Sequence, residues 1–276
     1  MIAPAAIIVA AALALWIGPA LPPSLAGLKE FGAYFVLLAG AGVSLWFNRG
    51  RAFVAAVSLL LAYAGYRYAL GFGADSFAAR AVYTAAVVLV PLNILVALLL
   101  PERGVSYHGD HRWLFIVAGE ILLVAWIASS GRSALSGAAW QQMLGHWLLR
   151  SPPAPLIGRM LFAAAFAAAV WRAWPQKGGL VSPIAVGQAG GLVAFFIACE
   201  WATNQAVFGV FTAAAGAILM VAMLQESHRL AFDDELTGFP GRCALQEAMA
   251  GLGPHYVLAM ADVDHFKSFN DTHGHD

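Results

Sequence analysis

Ala81-Val-Tyr-Thr-Ala-Ala-Val-Val-Leu-Val-Pro-Leu-Asn-Ile-Leu-Val-Ala-Leu-Leu-Leu100 is a run of twenty residues without a charged side chain. Wound as a helix at 1.5 Å per residue, it spans about 30 Å, the thickness of the hydrocarbon core of a bilayer. Pro91 and Asn93 inside it predict a kink whose freed carbonyl is satisfied locally, as in other membrane helices. On either side the chain turns polar or breaks, at Gly73-Ala-Asp75 and at Pro101-Glu-Arg-Gly104. These are turn signals, not continuations.

Seven further apolar stretches share this pattern, at residues 2–21, 31–47, 52–72, 113–130, 156–174, 180–200 and 205–224. Each has about 17 to 21 residues, enough to cross a bilayer. Residues 1–224 therefore read as an all-α polytopic domain of about eight transmembrane helices, with seven as the alternative count. The first stretch lacks the basic start of a signal peptide and is longer than the usual apolar region of one. Across the whole chain 61% of residues are hydrophobic and only 11% charged, against about 25% charged in an average soluble domain. Fifteen basic and fifteen acidic residues balance, so bulk charge gives no basis for nucleic-acid binding. The two cysteines, Cys199 and Cys243, offer no disulfide framework and no zinc spacing.

Lys and Arg set the orientation. With both termini inside, the inner loops carry Arg49, Arg51, Arg103, Arg112, Arg172 and Lys177, and Arg229 follows the last span. The outer loops carry Lys29, Arg80, Arg132 and Arg150. This asymmetry agrees with both termini lying in the cytoplasm.

Several residues within the membrane region invite a functional reading. Glu120 lies seven residues into its span, about 10 Å deep at 1.5 Å per residue. An acid at that depth faces the bundle interior and is a candidate for ligand or proton sensing. Arg67 and Arg159 sit near outer helix ends, where their stems can snorkel. Between residues 131 and 155, Trp140, Met143, Leu144, Trp147 and Leu148 recur at helical spacing. They predict an amphipathic helix on the outer membrane surface, either an interfacial anchor or a lid over a periplasmic ligand. Gly187-Gln-Ala-Gly-Gly191 is a small-residue pattern that permits close helix packing. His108-Gly-Asp-His111 has no evident fourth metal ligand and reads as a loop. There is no GxxxxGK[ST] phosphate loop.

The character of the chain changes after residue 224. Gln225-Glu-Ser-His-Arg-Leu-Ala-Phe232 continues the last span with no helix breaker, so residues 225–233 read as a linker helix. Met220, Met223, Ser227 and Leu230 have the 3-4-3 spacing of one seam of a parallel coiled coil; a single amphipathic helix is the alternative. Beyond it, residues 245–252 can form a helix ended by Gly253-Pro254. Tyr256-Val-Leu-Ala-Met-Ala261 reads as a buried strand that delivers Asp262 and Asp264 at its end. Carboxylates so placed suit Mg²⁺, a hard cation that shares its oxygen ligands with phosphates. A following helix from about residue 266 offers backbone N–H groups for a phosphate.

Two segments carry a family resemblance. They are Asp234-Glu-Leu-Thr-Gly-Phe-Pro-Gly-Arg242 and Asp262-Val-Asp-His-Phe-Lys-Ser-Phe-Asn-Asp-Thr-His-Gly-His-Asp276. Together they resemble the opening of a GGDEF-family diguanylate cyclase domain, whose members join two GTP into cyclic di-GMP. The first differs from the family pattern by Phe239 in place of Leu and Gly241 in place of Asn. The second keeps Asp262, Asp264, Phe266, Lys267, Asn270, Asp271, Gly274 and His275, with Val263 a mild substitution.

The resemblance implies that residues 234–276 begin an α/β domain of the palm or nucleotidyl-cyclase type. It implies Mg²⁺ bound by Asp262 and the carbonyl of Val263. Phosphates would meet the backbone at His265 and Phe266 with Lys267 nearby, and Asn270 would bond the guanine edge. GTP is the implied substrate, and a homodimer through these domains and the linker helix the implied active unit. The Gly-Gly-[Asp/Glu]-Glu-Phe signature does not occur in the 276 residues, so no catalytic residue is assigned and this chain by itself is expected to be inactive. The resulting expectation is a membrane-bound signalling protein, part of a diguanylate cyclase regulated by its transmembrane region. The alternatives are a degenerate GGDEF receptor that binds GTP or cyclic di-GMP without turnover, and a membrane transporter with a vestigial tail.

Overall fold

The structure is a computed structural model. It describes residues 2–18, 22, 24, 26–73, 76–102, 104–105, 112–130, 152–174, 181–234, 237, 239–253, 255–262, 264–265, 267, 271–272 and 274. Among these are nine helices: α1 (Ile2–Ile17), α2 (Ala26–Trp46), α3 (Gly50–Leu70), α4 (Phe77–Leu99), α5 (Arg112–Ser130), α6 (Leu156–Ala173), α7 (Pro183–Glu200), α8 (Gln205–Phe232) and α9 (Arg242–Ala250). The described part forms two compact units, residues 1–229 and 230–276.

Five helices, α3, α4, α6, α7 and α8, are long and apolar enough to cross a membrane, as a multi-pass membrane protein requires. Of the eight expected spans, five are thus long and apolar enough among the described residues. In α1, α2 and α5 the described apolar stretch is shorter: Ile2–Ile17, Phe31–Trp46 and Phe115–Ser130. Large apolar side chains face outward all round the bundle, among them Trp16, Leu122, Met160 and Trp171. In water such a surface would aggregate, whereas lipid satisfies it.

The bundle is built around α4, which packs on α3, α5 and α6; α2 lies against α3, and α6 against α7. Its interior is a cluster of small and aromatic side chains, including Leu37, Val87, Ala165, Phe195 and Phe208, all but fully buried. Lipid supplies no hydrophobic drive for helix association, so van der Waals contact must do it, and close approach is what maximises that contact. Gly158 of α6 sits directly on Val87 of α4, and a methyl group there would collide with the valine. Val87 is also the residue whose carbonyl loses its helical partner to Pro91, yet α4 continues through Pro91 as one helix. Gly187 of α7 lies on Ala222 of α8, where a Cβ would collide with the alanine side chain. The small-residue pattern at 187–191 is a packing device.

Polar ties fix the helix ends. Arg51 of α3 donates to the carbonyls of Ala97 (2.9 Å) and Leu100 at the C-terminus of α4 and pairs with Glu102 at 3.0 Å. A cation at that end satisfies orphan carbonyls and opposes the helix dipole. At the opposite ends of α3 and α4, the hydroxyls of Tyr66 and Tyr83 donate to the carbonyls of Ala202 and Cys199, the latter at 2.8 Å. Arg159 does more than snorkel: its guanidinium makes two bonds to Glu200, of 3.1 and 2.9 Å. Arg67 reaches Gln205 at 3.5 Å.

Two expectations are overturned. Met223 is 1% exposed inside the bundle, so it cannot also be a knob in an intermolecular seam with Met220, Ser227 and Leu230. Leu230 does stay exposed. The strand expected at 256–261 is not formed, and no strand occurs among the described residues. Val257 and Met260 are almost fully exposed. A β-strand is held by hydrogen bonds to a neighbour, and none lies beside this segment among the described residues. The described part of residues 230–276 therefore contains α9 but no sheet, and the α/β expectation has only its helical part. The amphipathic segment with Trp140 and Trp147 and the His108–His111 cluster lie outside the described residues.

The contact at Gly187 yields a prediction. Gly187→Val should destabilise the detergent-solubilised or nanodisc-embedded chain by about 1–3 kcal/mol through overpacking against Ala222. Gly42→Val, at an exposed helical glycine with open space around its Cα, should change thermal stability far less. Equal melting shifts for the two would remove α7–α8 contact as the cause.

Candidate functional site

α5 packs chiefly on α4, and among the described residues a space is left between it and α3. It forms a cleft of about 540 Å³ walled by α3, α4 and α5, within the range of about 300–1,000 Å³ typical of small-molecule sites. Leu61, Val82, Leu89, Ile121 and Val124 line most of it. Tyr68 and Ser129 lie toward one end, and three polar residues, Ser58, Asn93 and Glu120, gather at the other.

There Asn93 on α4 bridges the other two helices. Its Nδ2 amide donates to Ser58 Oγ on α3 at 3.2 Å and to Glu120 Oε2 on α5 at 3.0 Å. Both amide hydrogens are thus used. Glu120 Oε1 has no hydrogen-bond partner among the described residues, and Glu120 lines the cleft. Membrane interiors tolerate such groups only when they are paired or face a cavity, and Glu120 satisfies both conditions.

Helix geometry explains why these three meet. Ser58 lies eight residues after the start of α3, Glu120 eight after the start of α5, and Asn93 six before the end of α4. Because successive helices run antiparallel, all three lie at about 9–12 Å from the same end of the bundle, at 1.5 Å per residue. Sequence reading singled out Glu120 but took Asn93 as an adjunct of the Pro91 kink and passed over Ser58. The matching depth of three polar residues on consecutive spans was the signal that could have joined them.

The second candidate region is the segment after α8. Asp234 Oδ1 accepts from the backbone N–H and the hydroxyl of Thr237, both at 2.9 Å, and the Thr237 hydroxyl in turn accepts from Phe239 N–H at 3.3 Å. Asp234 N–H donates to the Phe239 carbonyl at 2.8 Å, Gly241 N–H to the Phe232 carbonyl at 2.6 Å, and Asp233 pairs with Pro240 in an isolated bridge. Asp and Thr side chains that bond nearby backbone stabilise turns in this way. The conspicuous Asp-x-x-Thr residues of the motif therefore reverse the chain between α8 and α9, a structural task.

Of the residues assigned to a metal–triphosphate site, Asp262, His265 and Lys267 are described and exposed. Val263, Phe266 and Asn270 lie outside the described residues. Asp264 and His265 form a turn, and His265 has φ 58° in the left-handed region, which is uncommon for a residue other than glycine. Asp262 and Asp264 have the oxygen chemistry Mg²⁺ prefers. No group of three or more His, Cys, Asp or Glu side chains able to hold a metal is assembled among the described residues. Comparison with protein-family models, with curated proteins and with solved structures gives no match to this chain.

The Ser58–Asn93–Glu120 bridge can be tested by its energetics. Asn93→Leu strands the Glu120 carboxylate and the Ser58 hydroxyl, and should cost about 1–3 kcal/mol of stability. Asn93→Leu combined with Glu120→Leu removes both partners of the stronger bond and should recover much of that loss. Thermal unfolding in nanodiscs distinguishes the cases. A double variant no more stable than Asn93→Leu would show that the two side chains are not coupled.

Proposed function

We propose that the chain is the membrane input region of a signalling protein, joined to the opening of a GGDEF-type diguanylate cyclase domain. The observation that carries the reading is the dense match of residues 262–275 to the family pattern. α8 supports it: a single helix of 28 residues that contributes Phe208, Phe211 and Met223 to the bundle interior and runs on to Phe232. A continuous helix is stiff over its length, so displacement at its buried part reaches the segment that follows. Arg229 steadies it further, donating to the carbonyl of Val181 before α7 at 3.0 Å and to Glu226 at 2.9 Å.

In this reading a protein carrying this segment together with the Gly-Gly-[Asp/Glu]-Glu-Phe signature converts two GTP into cyclic di-GMP. Mg²⁺ supplies charge neutralisation on the phosphates. Asp262 and the Val263 carbonyl would hold it, His265, Phe266 and Lys267 would contact phosphate, and Asn270 would pair with the guanine edge. Each domain brings one GTP, so the working unit is a homodimer. The exposed Leu230 face of α8 remains open to that contact; Met223 does not. The protein sits in a bacterial cytoplasmic membrane with its C-terminal segment in the cytoplasm, where GTP is.

Two measurements check this. Membranes containing the signature-bearing protein, supplied with GTP and Mg²⁺, should form cyclic di-GMP detectable by mass spectrometry. Asp262→Ala should abolish it, while Asn270→Ala should chiefly weaken GTP binding, by about 5- to 150-fold for an unpaired guanine edge costing 1–3 kcal/mol. Undiminished turnover in Asp262→Ala would misplace the site. Separately, reporter fusions after Leu224 and within residues 133–150 should report cytoplasm and periplasm respectively; the same compartment for both would overturn the topology.

A further inference from the structure

The cleft between α3, α4 and α5 combines three properties. Its walls are apolar over the length from Ser58 to Tyr68 on α3, ten residues or about 15 Å at 1.5 Å per residue. Ser58, Asn93 and Glu120 gather at one end, where Asn93 has spent both amide hydrogens on Ser58 and Glu120, while Tyr68 and Ser129 line the other, the Ser129 hydroxyl donating to the Trp126 carbonyl at 3.0 Å. Among the groups the first end still presents is an acceptor, Glu120 Oε1, beside the Asn93 amide oxygen and the Ser58 hydroxyl. The cleft also lies between helices that a bilayer surrounds, so whatever enters it comes most readily from the hydrocarbon.

We propose that this cleft binds a bilayer-soluble amphiphile whose head group donates a hydrogen bond to Glu120 and whose apolar body lies along α3 and α4 toward Tyr68. This inference rests on the input role given to the bundle above and names the chemical class of the input. The occupant carries a hydroxyl or an ammonium head on a body about as long as a dodecyl chain. A carboxylate head is disfavoured because it brings an anion to an acidic acceptor, and a plain alkane leaves Glu120 Oε1 unmatched. Specificity in such a site comes from the few polar groups, since apolar walls accept many bodies of similar length.

Binding would also act on packing. α5 is held mainly by α4 and by the Asn93–Glu120 bond, whereas α3 and α4 are fixed at one end by Arg51 and at the other by Tyr66 and Tyr83. A body filling the cleft bears on the wall that has fewer ties among the described residues. α5 is therefore the element whose position the ligand sets.

The test is photolabelling of the whole chain in phosphatidylcholine nanodiscs with diazirine-bearing dodecanol and dodecylamine, with adducts mapped by mass spectrometry. Adducts should concentrate on cleft residues such as Leu61, Leu89 and Val124, and excess unlabelled dodecanol or dodecylamine should suppress them at least fivefold. Labelling at the outward-facing Leu99 and Leu122 should not be competed. Glu120→Ala should reduce cleft labelling to the level of those outward positions. The better competitor identifies the head, hydroxyl or ammonium. Cleft labelling that resists competition, or that dodecane or laurate suppresses as well as dodecanol does, overturns the proposal, and the competition arm in the unmodified chain decides it even if Glu120→Ala fails to fold. No nucleotide chemistry enters this readout, so its failure leaves the cyclase reading standing, and loss of cyclase activity leaves the cleft standing.

Discussion

Gly158 on Val87 and Gly187 on Ala222 are contacts in which one helix has given up its side chain so that another can come close. The bundle depends on them. Within hydrocarbon every backbone polar group must be satisfied inside its own helix, and apolar side chains gain nothing by leaving lipid for one another. Tight packing and a small number of polar ties are then what distinguish one arrangement of helices from another. The ties in this protein sit where they cost least, at helix ends: Arg51 at the C-terminus of α4, Arg159 with Glu200, and Tyr83 on the Cys199 carbonyl.

Against that background Ser58, Asn93 and Glu120 are unusual, because they form a polar contact within three helices, about two turns in from their ends. The contact joins α5 to the α3–α4 pair at one point and leaves an apolar cleft along the rest of the boundary. A tight bundle with such a cleft among its described residues is organised differently from one packed throughout. The first has a place where occupancy can alter helix position. α8 is both part of the buried cluster and the helix that leads to the Asp234 turn.

The C-terminal segment illustrates how one motif can hold residues with separate tasks. Asp234 and Thr237 bond each other and the local backbone, a turn-forming task. Asp262 and Asp264 have oxygen chemistry suited to a metal, but no ligand cluster forms around them among the described residues. The extended run at 255–260 is exposed and needs neighbouring strands before it can present those carboxylates in a fixed direction.

The sequence by itself determined the helices. Apolar runs without charge, interrupted by Pro, Gly and Arg clusters, can satisfy their backbone in lipid only as helices, and eight of them were legible within a few residues. It also located Glu120 by depth and Gly187 by spacing. What it could not determine was anything that depends on which helix faces which. The pairing of Asn93 with Glu120 and Ser58, residues 27 and 35 positions apart, follows from antiparallel packing at matched depth. The loss of Met223 from any external seam follows from its burial against the bundle. The strand at 256–261 failed for the converse reason. Alternation and apolar content mark a segment able to pair, but a strand exists only where a partner edge is supplied, and that is a tertiary fact.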